Sequence, residues 1–177
     1  MKDRLVVDAS VLIAIVRAEP GQVDLQRILV ERKRAGVALI APVGLWLELV
    51  NSLVRRHRTG GDRVLQAIKE IDDFGIDLVD TGRPLLILTL DLAERFGLTS
   101  CDASYLVVAI AEDADLLTLD GDLALAAGDR AVPVGDPPRL HETSAVYEHD
   151  VAWPRYREAS SYLAKLRAEA LAVRADR

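Results

Sequence analysis

Leu5-Val6-Val7-Asp8-Ala9-Ser10-Val11-Leu12-Ile13-Ala14 is the stretch on which the fold turns. The short apolar run Leu5-Val6-Val7 is closed by Asp8. It reads as a buried strand running into a helix over Val11 to Arg17. Pro20-Gly21 punctuates, and Val23 to Arg34 follows with helical spacing at Leu25, Ile28 and Leu29. Val37 to Ile40 is a second short strand. Pro42 then suits the first turn of a helix whose Trp46, Leu49, Val50 and Leu53 share a core face. Asp62 to Phe74 is another amphipathic helix, and Ile76 to Val79 a third strand. Pro84 opens a helix through Phe96. Thr99-Ser100-Cys101-Asp102 resembles a capping box for a helix to about Asp113. Leu116 to Leu119 is a fourth strand, Asp120-Gly121-Asp122 a turn into a short helix, and Val132 to Val134 a marginal fifth strand. Strands alternating with helices predict an α/β fold. The expected form is a three-layer α/β/α sandwich around a mostly parallel, about five-stranded sheet.

The whole chain agrees with that reading. Its 177 residues leave room for one domain with a short appendage. Half the residues are apolar but only 5% are aromatic, so the core is built from Leu, Val, Ile and Ala. That hydrophobicity argues against intrinsic disorder. A net charge of −6 argues against a basic protein that coats nucleic acid. The single cysteine, Cys101, excludes an internal disulfide and a cysteine-built zinc site. It reads as a small core or helix-start residue, with no histidine near it in sequence to activate it. His57, His141 and His149 have no metal-ligand spacing. No signal peptide or membrane span is expected, because Asp8 splits the first apolar stretch and Pro42, Glu48 and Asn51 interrupt the next. The expected location is the cytoplasm. Composition shifts at Gly135-Asp136-Pro137-Pro138. This divides the chain into a domain over 1–135 and an extension over 136–177, whose Arg155 to Val173 reads as a helix with an apolar Tyr162, Leu163 and Leu166 face.

Ligands of open α/β sheets sit at the carboxyl ends of the strands. Asp8 and Asp120 end two strands, Asp122 follows, Asp102 starts a helix, and Glu48 lies in the second turn after Pro42. Acids drawn from four segments to one edge repel unless a hard cation sits among them. Mg²⁺ with its waters and phosphate oxygens suits phosphodiester hydrolysis. Each acid also has a plainer role: Asp8 as a helix cap, Asp102 as half of a capping box, Asp120-Gly121-Asp122 as a turn, Glu48 as a solvated side chain.

At these residues the chain resembles the PIN domain family. Val6 to Ala14 is similar to its opening, Ala41 to Asn51 to its second acidic motif, Leu98 to Leu106 to its third and Leu116 to Leu123 to its fourth. The resemblance spans about residues 3–135 and is closest to the bacterial VapC-like ribonuclease toxins of toxin–antitoxin pairs. It implies Mg²⁺- or Mn²⁺-dependent cleavage of single-stranded RNA, a homodimer, and inhibition by a cognate antitoxin. It places Asp8, Glu48, Asp102 and Asp120 at the catalytic positions and adds Asp122 as a further candidate ligand. Ser10, Asn51 and Thr118 become supporting or substrate-orienting groups. The implied chemistry is in-line attack of water on phosphorus with no covalent enzyme intermediate. Against the net charge, Arg55, Arg56 and Arg58 are candidate RNA-binding residues, with a solvated helix end as the plainer alternative. Three rival readings remain at this level. One is an RNA-processing nuclease with no toxin role, and another a PIN module that binds RNA or protein without cutting. The third is a haloacid-dehalogenase-type phosphatase, against which Ser10 stands where that family has a second Asp.

Overall fold

The computed structural model describes residues 2–134. The extension predicted for 136–177, its helix and His141 and His149 lie outside them. Four parallel strands form one sheet: β1 (Arg4–Val7), β2 (Ala38–Pro42), β3 (Asp77–Val79) and β4 (Asp115–Leu117), in the order β3-β2-β1-β4. Leu5, Val6 and Val7 are buried without residual exposure, as a central strand covered on both faces requires. Val6 pairs with Ile40 on one side and Leu116 on the other.

α1 (Ala9–Val16) and α2 (Gln22–Arg34) connect β1 to β2. α3 (Leu45–Asn51), a π-helical turn (Ser52–Arg56) and α4 (Gly61–Asp72) connect β2 to β3. α5 (Arg83–Phe96) and α6 (Ser100–Ala111) lead to β4, which α7 (Gly121–Ala127) follows. The first two crossovers step one way along the sheet and the third returns past β1. Right-handed connections therefore put α1–α4 on one face and α5–α6 on the other. α1 packs on α2, α3 and α4, while α5 packs on α6, which lies against β1, β2 and β4. The strand order reverses between β1 and β4, and in open α/β sheets ligands sit at the carboxyl ends of strands at such a switch point.

Three local expectations are corrected. The fifth strand is a single bridge, Leu116 to Ala131, backed by the Val132 N–H to the Leu116 carbonyl at 2.8 Å. The backbone leaves a 3₁₀ turn at Gly128–Arg130 only just before it, so no longer ladder forms. Pro42 belongs to β2, opposite Val79, and does not open a helix. A strand's last residue tolerates a missing N–H as well as a helix's first does. α3 consequently starts at Leu45, and its fully buried residues are Leu45 and Leu49, continued by Leu53 in the π turn. Trp46 and Val50 are half-buried. No helix among the described residues is long and apolar enough to cross a membrane.

Candidate active site

Asp8 is the first residue beyond β1, and its N–H still donates to the Leu117 carbonyl at 3.0 Å, extending the β1–β4 ladder. Its side chain is only 3% exposed. It stands at the N-cap position of α1 but makes no capping hydrogen bond. Instead its Oδ2 accepts two hydroxyls, from Ser10 and from Thr118 at 2.7 Å. Each hydroxyl is fixed in turn by accepting a backbone N–H: Ser10 from Leu119 at 3.1 Å, Thr118 from Asp120 at 2.9 Å. The loop after β4 is thereby tied to the end of β1 through the carboxylate. Burial pushes the Asp8 carboxyl above the usual range, and the charges of Asp102 and Asp120 add to that; the two hydroxyls oppose it.

Asp102 and Asp120 are held by helix starts. Thr99 caps α6, accepting the Asp102 N–H at 3.2 Å and donating its hydroxyl to Asp102 Oδ2 at 2.6 Å. The Thr99 half of the capping box read in the sequence forms; the Asp102 carboxylate takes the Thr99 hydroxyl in place of the backbone N–H that would close the box. Asp120 lies three residues beyond β4, not at its end, because β4 stops at Leu117. It caps α7 by accepting the Leu123 N–H at 2.8 Å. Capping does not exclude these residues from a site: their charges act on Asp8 from their capping positions.

Glu48 sits in the first turn of α3, one turn earlier than its place after Pro42 suggested. Its Oε2 accepts the Tyr105 hydroxyl at 2.8 Å, so α3 and α6 meet through this bond. Burial raises the Glu48 carboxyl to about 7; Asp8 and Asp102 add to the rise, while the Tyr105 bond and the Arg56 charge oppose it. The Tyr105 phenol is held well above its usual range by burial and by Glu48 and Asp8, so it remains a donor. Sequence reasoning gave Tyr105 no role. The available signal was a Tyr one helical turn after Asp102, since a buried phenol needs a partner.

The remaining candidates are less engaged. Asp122 is exposed in the first turn of α7 and Asn51 is exposed at the end of α3. Arg55, Arg56 and Arg58 are exposed at and beyond the π turn. The exposed Cys101 thiol is pushed up by partial burial and by Glu48 and Asp102, which keeps it protonated.

Among the described residues no ion pair engages Asp8, Glu48, Asp102 or Asp120. Hard oxygen donors left in mutual repulsion fit a divalent cation such as Mg²⁺ or Mn²⁺. The set is more open than the sequence suggested, since among the described residues no three His, Cys, Asp or Glu side chains converge enough to hold an ion. Side chains alone therefore close no coordination shell.

The family model for the PIN domain matches residues 5–129. No curated protein sequence matches the chain significantly. Among solved structures, the crystal structure of PAE2754 from Pyrobaculum aerophilum is similar at a TM-score of 0.53 and 24% identity, covering 74% of this chain and 89% of that one. That similarity concerns the fold. The family match takes in β1 through α7 and every acid of the site, and the chain belongs to the PIN domain family.

Proposed function

We propose that the chain is a divalent-metal-dependent endoribonuclease acting on single-stranded RNA, and the toxin of a type II toxin–antitoxin pair. PIN domains are generally metal-dependent nucleases. The observation that carries the reading is the group of carboxylates without ion pairs at the switch point between β1 and β4, with Asp8 buried at its centre. Asp8, Asp102 and Asp120 are the proposed ligands, with water and phosphate oxygens completing the shell, and Glu48 and Asp122 are the further candidates. A bound divalent cation supplies Lewis-acid stabilisation of the charge that develops on the phosphate.

The chain's own residues do the rest. Ser10 and Thr118 fix the direction of the Asp8 carboxylate. Glu48, raised to about 7 and held by Tyr105, is the group poised to take a proton at neutral pH. Water attacks phosphorus in line and gives its proton to Glu48. The bond to the 3′-oxygen breaks, and that oxygen takes up a proton from solvent. The products are a 5′-phosphate and a 3′-hydroxyl.

The toxin role brings two partners with it, a second copy of the chain and a cognate antitoxin. Support for a protein-covered surface comes from Leu86, Ile87 and Leu90 of α5, each more than half exposed. A short adjacent gene for a DNA-binding protein with a disordered tail distinguishes a toxin from an RNA-processing nuclease.

Incubating the purified protein with single-stranded RNA tests the activity. Cleavage with Mg²⁺ or Mn²⁺, silence in excess EDTA, and 5′-phosphate ends are expected. Activity that persists in EDTA, or 2′,3′-cyclic phosphate products, would refute the reading.

A further inference from the structure

The π-helical turn after α3 changes which arginine shares the Glu48 stripe of the helix. His57 donates to the Ser52 carbonyl at 3.2 Å, five residues back, the bond that defines a π turn. In an unbroken α-helix each residue turns about 100°, so Arg55, seven after Glu48, would lie within about 20° of it and Arg56 about 80° away. A π turn takes roughly 4.4 residues, about 82° each, so over Ser52–Arg56 it brings Arg56 within about 10° of Glu48 and turns Arg55 about 75° aside. Arg56 is then two turns further along the same stripe, about 11 Å down the axis.

We infer that Arg56, and not Arg55, is the arginine that binds an RNA phosphate beside the acidic site, and that the π turn is the device that selects it. The inference rests on the nuclease reading for its ligand and goes beyond it in assigning a residue. Two further observations agree. Arg56 is the arginine whose charge bears on Glu48. It is also exposed, and no ion pair among the described residues uses it. A distance of about two turns suits a phosphate flanking the scissile bond, since the scissile phosphate itself must sit among the acids. A guanidinium grips phosphate through paired N–H donors and also offsets part of the site's negative field.

The test uses the full chain carrying Asp8→Asn, which prevents cutting, and a labelled mixed-sequence single-stranded RNA. Affinity is measured by polarisation over a range of salt. Arg56→Ala is expected to weaken binding about 5–10-fold and to reduce the salt slope by about 0.7, the loss of one phosphate contact on a single strand. Arg56→Lys should keep most of the slope and lose part of the affinity. Arg55→Ala should match Arg34→Ala, which removes the same charge at the end of α2, towards the opposite edge of the sheet. Equal effects of Arg56→Ala and Arg34→Ala would overturn the inference, as would a larger loss from Arg55→Ala. Cleavage by the protein with Asp8 intact is scored separately. Cleavage together with an inert Arg56 defeats the inference alone, whereas no cleavage together with a lost salt slope defeats the nuclease reading and leaves the phosphate contact standing.

Discussion

Asp8 and Glu48 are acids of one candidate site held from different parts of the fold. Asp8 grows out of the most buried strand of the sheet, and both hydroxyls on it come from the β1–β4 switch point. Glu48 projects from a short helix, and its hydrogen-bond partner, Tyr105, comes from a different crossover. Both carboxyls are raised, with burial as the leading cause. The contrast shows that the fold places the charge first and stabilises it second. Neutral donors orient each carboxylate, and no cation among the described residues pairs with it.

The sharpest way to break the comparison is to remove the charge at Asp8. Asp8→Asn keeps the shape and should lower RNA cleavage by about 10³-fold or more, the scale of losing a group that acts only in the transition state. Retained activity would show that Asp8 is an oriented structural acid. Next in size is Thr118→Val, which leaves Asp8 with one hydroxyl and the Asp120 N–H without its acceptor. Stranded polar groups of this kind cost about 1–3 kcal/mol, and at this chain length each kcal/mol appears as roughly 2–4 °C in Tm. A melting curve that does not move would mean the loop after β4 is held by packing alone.

Tyr105→Phe acts on the other limb. It should cost about 1 kcal/mol in a melt at neutral pH and move the alkaline-going rise of the cleavage profile to higher pH, because the Tyr105 bond opposes the upward shift of Glu48. A lower rate with no shift in the profile would assign Tyr105 to packing. A further test is the pH dependence of stability. Glu48 moves from 4.5 to about 7 on folding, so the folded chain binds the extra proton between those values. Its favourable contribution is complete below about pH 4.5 and is lost as pH rises through about 7. Melting points of the parent should fall over that window relative to Glu48→Gln. Mg²⁺ should flatten the difference by favouring the charged form. Parallel pH profiles would contradict it.

The β1–β4 limb was legible because its information is local. Leu5-Val6-Val7 followed by Asp8 and Ser10 states strand, acid and hydroxyl within six residues, and Thr99 with Asp102 states a cap within four. The Glu48 limb was not. Its bond to Tyr105 crosses 57 positions, and periodicity along α6 marks Tyr105 only as a core residue. Pro42 was misplaced because a fixed φ suits a strand end and a helix start alike. The π turn has no composition signal in Ser52–Arg56, so an α period carried through it points at Arg55. Asp120 was read as both a turn residue and a ligand, and the capping geometry shows why the two roles do not compete: one oxygen accepts the Leu123 N–H while the charge still reaches Asp8.

The claim at the centre is that Asp8 is the core of a cation site, and thermal melting with and without divalent metal tests it most directly. In EDTA, Asp8→Asn should melt above the parent by roughly 2–4 °C per kcal/mol of repulsion relieved. Adding Mg²⁺ or Mn²⁺ should raise the parent's Tm and leave the variant's nearly unchanged, since a ligand of the folded state alone stabilises by mass action. Equal shifts for the two proteins would contradict the account.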